Sequence, residues 1–175
     1  MSRLALEALA KTIGQTKHPE RLFTDWQSLL GFNIGWVLHR LFEKLCGDHG
    51  IDRGNSEIIM MRAAGLTECH LHRTGASTFM VLGPQQGMPR PEGGTYLGDH
   101  DQSKIEQKLE FHRHKVGDIF SVPAGTIHAF AADPGGSLTL IGVVSPKIRR
   151  SNEFDVVPFD YIDRSDPTRV LLATM

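Results

Sequence analysis

Cysteine is scarce in this chain: Cys46 and Cys69 are the only two among 175 residues. That is too few for a disulfide scaffold and fits a reducing compartment equally well. Charge of one sign is missing too, because 19 Lys and Arg stand against 20 Asp and Glu for a net charge of -1. No basic field is present to hold a phosphate backbone, which argues against nucleic acid as a main partner. Long apolar runs are also absent. The longest uncharged apolar stretch, Trp26 to Leu38, stops at His39 and Arg40, short of the roughly 20 residues a spanning helix needs. Met1 to Lys11 pairs Arg3 with Glu7 and has no apolar run leading to a small-residue cleavage site. A cytoplasmic protein without a membrane partner is the expectation.

With 40% hydrophobic and 22% charged residues over 175 positions, the chain has the composition of one soluble domain with a real core. Its first 50 residues read as a helical extension, packed on the rest of the chain or on a partner. Leu4, Ala5, Leu6, Ala8, Leu9 and Ile13 suggest a short amphipathic helix that stops near Gly14 and Pro19. Thr24-Asp25-Trp26-Gln27 has the form of a capping box, and apolar residues from Leu29 to Leu45 recur at helical spacing. From Asn55 the pattern changes to strand-length segments divided by Gly and Pro: 57–62, 69–72, 78–82, 108–115, 118–122, 128–131 and 138–144. Such spacing predicts a sandwich or barrel over 51–146. The Pro- and Gly-rich stretch 83–104 reads as a long loop, and 147–175 as a C-terminal tail packed outside the barrel or on a partner.

The unusual feature is histidine. Of nine, six fall between His70 and His128. His70-Leu71-His72 lies in a strand-like segment, where residues i and i+2 point to one face, so two imidazoles stand side by side and can converge on one ion. Further on, Gly117 to His128 reads G-x5-P-x-G-x2-H. Pro123 fixes its own dihedral and Gly125 accepts a positive one, so the turn reverses tightly and places His128 at a defined point of the next strand.

On these residues the chain resembles the cupin superfamily over roughly 57–146, with the second cupin motif matched through His128. The resemblance implies a mainly β fold, the double-stranded β-helix or jelly-roll barrel, with His70, His72 and His128 as ligands of a divalent transition metal. The first motif departs from the family. Ser77 stands where a glutamate is usual, Gly65 is displaced by one residue, and Ala132 replaces a common Asn. Without a carboxylate ligand the ion keeps its double positive charge, which favours small anionic chelating substrates. This is similar to the three-histidine cupin dioxygenases acting on thiols or β-diketones, with Fe expected for an oxygenase and Zn, Ni, Mn or Cu as alternatives. A non-catalytic sensory or ligand-binding cupin and a metal-free isomerase-like cupin stay open, and a homodimer is expected.

Other residues invite a role. Glu68 shares the His70 face and could orient a ligand or act as a base, or simply end a strand in solvent. His112 and His114 alternate on one face and could line the cavity or face outward. Asp99-His100-Asp101 suits a metal clasp on paper, although a solvated loop tip is the plainer reading. Cys69 is out of phase with the histidines and should point away from the metal.

Overall fold

The computed structural model describes residues 21–24, 43, 47–48, 50–82, 93–146 and 155–173. The first N-terminal helical signal, 83–92 and 147–154 lie outside the described residues, as does most of the second; Arg21–Thr24, within the 50 residues read as helical, is a strand, whereas Glu43 is helical. No helix of the described residues is long and apolar enough to cross a membrane.

Among the described residues twelve strands follow in order: β1 Arg21–Thr24, β2 Glu57–Ala63, β3 Cys69–His72, β4 Ala76–Leu82, β5 Gly93–Asp99 and β6 Glu106–Lys108, then β7 Glu110–Arg113, β8 Ile119–Val122, β9 Thr126–Ala132, β10 Leu138–Ser145, β11 Val156–Asp163 and β12 Asp166–Leu172. They form a five-stranded sheet ordered β1-β2-β10-β4-β8 and a seven-stranded sheet ordered β6-β12-β11-β3-β9-β5-β7. Every strand pairing is antiparallel. Each segment read as a strand in the sequence is a strand or contains strands. The segment 108–115 is divided at Leu109: β6 pairs with β12, a register that Leu109 extends by donating its N–H to Thr168 O at 2.7 Å, while β7 pairs with β5.

Alternation sorts the side chains between two apolar clusters. Phe79 and Val81 of β4, Val122, Leu140, Val144 and Phe130 pack between the sheets. The opposite face of the seven-stranded sheet carries the second cluster, with Cys69 and Leu71 of β3, Ile127 and Ala129 of β9, Phe159 and Val170. Because β3 and β9 are apolar on this face, their intervening residues His70, His72 and His128 turn toward the other sheet.

Two sequence expectations need correction. Residues 93–99, read as loop, are β5, in the sheet between β9 and β7. Its glycines mislead because they look like loop residues, yet a Cβ at Gly93 would collide with the Ala131 carbonyl and one at Gly98 with the Lys108 carbonyl. Glycine here serves close backbone approach within a sheet. The second correction concerns 156–172, expected as a tail outside the barrel. It forms the β11–β12 hairpin, inserted between β3 and β6. The alternation that identifies β11 is blurred by Pro158, which lies opposite His70.

Candidate metal centre

The site begins with register. In the β3–β9 pairing His70 lies directly opposite His128, and His72 follows two residues along β3 on the same face. The turn before β9 has the geometry its sequence implies. Gly125 has φ +80°, Thr126 N donates to Pro123 O at 3.2 Å, and Gly125 N donates to His72 O at 2.7 Å. This last bond ties the turn that delivers His128 to the strand that carries the pair.

The three rings meet with centroids 4.9, 4.4 and 5.5 Å apart. One nitrogen from each lies within 4.8 Å of the others, and His70 and His128 are buried while His72 is half-buried. Among the described residues this is the only such group. Which nitrogens converge follows from the remaining hydrogen bonds. His70 Nδ1 donates to Glu68 O at 3.3 Å, His128 Nδ1 to Thr126 O at 3.0 Å, and His72 Nδ1 to an Asp155 carboxylate oxygen at 3.2 Å. Carbonyl and carboxylate oxygens only accept, so each Nδ1 carries the proton and each neutral ring keeps its lone pair on Nε2. Three buried or half-buried imidazoles with fixed tautomers and a common point of convergence fit a divalent transition metal.

Asp155, just before β11, is the residue at this group that sequence reasoning missed. It stands 83 residues from His72, and no local pattern marks it. Its second oxygen accepts from Thr74 N at 2.8 Å and from the Thr74 hydroxyl. Burial by itself would raise this carboxyl, but the bonds from Thr74 and His72 outweigh it and hold it below the ordinary carboxylate range.

The other candidates divide. Ser77 is buried on β4 and shares by alternation the inward face of Phe79, which meets Phe130 across the sheets at 5.2 Å between centroids. Among the described residues its hydroxyl has no hydrogen-bond partner. Glu68 contributes through its backbone: its carbonyl orients His70 while its side chain is exposed. His114 is half-buried at the barrel edge, stacked on Phe120 at 4.0 Å and hydrogen-bonded through Nε2 to Thr95 Oγ1 at 2.8 Å. His112 is exposed on β7. β7 is the last strand of its sheet among the described residues. In the supposed clasp, Asp101 accepts from Ser103 and pairs with Lys104 at 2.9 Å, while His100 sets its ring edge against Phe159. Cys69 points into the second cluster, and burial pushes its thiol up to about 12, which leaves it protonated.

Beside the histidines a cavity of about 340 Å³ opens over β11, bounded by Glu68, His70, His72, Val156, Pro158 and Asp160. This volume suits a small metabolite.

No family model matches the sequence, and no curated protein does either. Among solved structures, the Streptomyces Pac13 with uridine aligns at a TM-score of 0.46 and 16% identity over 63% of this chain and 73% of that one. Pac13 is described as a nucleoside dehydratase. A double-stranded β-helix protein from Klebsiella pneumoniae aligns at 0.40 and 16% over 69% and 76%. A cupin 2 conserved barrel protein from Rhodopseudomonas palustris aligns at 0.40 and 19% over 55% of each chain. The chain itself shows two antiparallel sheets of five and seven strands, a β-sandwich of the jelly-roll type, with His70 and His128 in register and the Pro123–Gly125 turn leading into β9.

Proposed function

We propose that the chain is a mononuclear metal-dependent enzyme of the dioxygenase type, acting on a small anionic substrate that chelates the ion. The observation that carries this reading is the convergence of His70, His72 and His128 with every Nδ1 already bonded. These three residues would hold the ion. When bound, such an ion supplies Lewis acidity and open coordination positions, and an iron ion adds one-electron chemistry with oxygen.

The protein's own part is to bind, orient and select. Burial of His70 and His128 keeps water from competing on the closed side. The cavity beside His70 and His72 leaves one side open for substrate. Val156 and Pro158 offer it an apolar wall, while the carboxylates of Glu68 and Asp160 at the same cavity disfavour highly charged anions such as polyphosphates. Substrate with one chelating anionic end and an otherwise apolar or weakly polar body fits that wall. Native iron and a thiol or β-diketone substrate follow as the specific form of the proposal.

The experiment is metal analysis of tag-free protein followed by oxygen consumption under Fe(II) reconstitution, with a thiol carboxylate or a β-diketone offered. About one ion per chain and substrate-dependent oxygen uptake are expected, and His128→Ala should abolish the uptake while leaving the barrel folded. Ligand binding without uptake across Fe, Zn, Ni and Mn would make this a binding or sensory protein. Failure to take up any of these metals would overturn the metal reading.

A further inference from the structure

We propose that Asp155 is a positioning residue of the metal site, which fixes the tautomer of His72 and makes it the strongest donor of the three. The inference rests on the three-histidine metal reading and adds to it a residue from the C-terminal hairpin.

The three histidines are held in two different ways. His70 and His128 each donate Nδ1–H to the backbone carbonyl two residues before them. His72 instead donates to the Asp155 carboxylate at 3.2 Å. A carboxylate partner draws the Nδ1 proton more strongly than a neutral carbonyl, leaving more electron density on Nε2. It also brings a negative charge to a site whose inward-facing Ser77 supplies none.

Asp155 is itself locked. Arg73 N donates to its backbone carbonyl at 2.8 Å, and Thr74 N and the Thr74 hydroxyl both donate to Oδ1. The segment just after His72 therefore grips Asp155 from three donors, and Oδ2 is the oxygen left to face the ring. The Thr74 backbone N–H can only donate, so it also decides which way an amide would sit at this position. In Asp155→Asn the amide oxygen must stay on Thr74, and the amide nitrogen must face His72. A donor now meets Nδ1, the His72 proton moves to Nε2, and the ligand lone pair is lost. Asp155→Ala removes the preference without inverting it, since water can accept from Nδ1.

Two measurements on tag-free protein test this. Nitrogen NMR of the metal-free chain should find His72 as the Nδ1–H tautomer in the parent and as Nε2–H in Asp155→Asn. His70 and His128 should stay Nδ1–H in both, which shows that the fold is kept. Zn(II) affinity by chelator competition should then fall about 100-fold in Asp155→Asn and about 10-fold in Asp155→Ala, the span seen for partners of metal-bound histidines. A parent that binds no Zn(II) overturns the metal reading and the proposal with it. A parent that binds, with an Asn variant of unchanged tautomer or unchanged affinity, overturns the role of Asp155 alone.

Discussion

Replacing Ser77 with glutamate asks whether this buried position shares the interior with the three histidines. Ser77 is 5% exposed, flanked in register by Val144 and Val122, and its hydroxyl has no partner among the described residues. In metal-free protein, Ser77→Glu places an unpaired carboxylate among apolar neighbours, which costs several kcal/mol. A cost of about 3 kcal/mol lowers the melting midpoint of a chain this size by roughly 6–12 °C. Ser77→Gln introduces the same bulk without the charge and isolates the electrostatic part. A divalent ion reverses the comparison. Metal at about 100 times its Kd raises stability by about 2.7 kcal/mol in any single-site protein, and in the Glu variant the ion gains a fourth, charged ligand. One unit pair at 4 Å already contributes about 4 kcal/mol at an effective dielectric constant of about 20. Melting curves of parent, Gln and Glu variants, each with and without Zn(II), should show the Glu variant lowest without metal and gaining most on adding it. A Glu variant that melts with the Gln variant in both conditions would refute the reasoning, because Ser77 would then face away from the ion.

Gly98→Ala should destabilise by about 1–3 kcal/mol in chemical denaturation, since its Cβ would meet the Lys108 carbonyl and the Leu109 side chain where neither strand can yield cheaply. Gly135→Ala, with nothing within 4 Å but φ +76°, should cost only the left-handed backbone penalty of about 1–2 kcal/mol. A Gly98 variant as stable as the parent would mean that β5 does not run against β6. His114 supplies a pH test. Burial lowers its pKa, His112 adds to this and Asp118 opposes it, so the folded state resists protonating a ring that the unfolded chain protonates near pH 6.5. Its contribution is complete above about pH 6.5 and is lost as pH falls through the lowered folded value. Urea midpoints at about pH 7.5 and about pH 5 should therefore fall less in His114→Gln than in the parent, and equal falls would mean that the ring is not buried on Phe120.

The central strands and the three converging histidines were legible because their signals are local. His70 and His72 are two residues apart on one strand, and the Pro123–Gly125 turn writes the position of His128 into a short motif. Asp155 was not legible, because its role comes from strand pairing: β11 lies beside β3 only in the finished sheet, and an aspartate before an apolar segment has many plainer readings. Strand β5 was hidden for the opposite reason. Gly93, Gly94 and Gly98 carry a strong local signal for loop, overridden by the need for bare backbone where the carbonyls of Ala131, His112 and Lys108 press in. His112 and His114 look alike in sequence, and only the sheet edge separates a ring stacked on Phe120 from one left in solvent.

The insertion of the C-terminal hairpin beside β3 sets a clock on the site. During synthesis the His70–His72 pair emerges long before His128, and Asp155 later still, so a growing chain holds at most a weak two-imidazole chelate with unfixed tautomers. Strong ion capture awaits pairings between residues far apart in sequence, the slow kind of contact. Metal would thus be acquired after the chain is complete and would act as a clasp on two finished strands, β3 and β9, resisting their separation. A chain cut before Asp155 could keep every ligand and still load poorly.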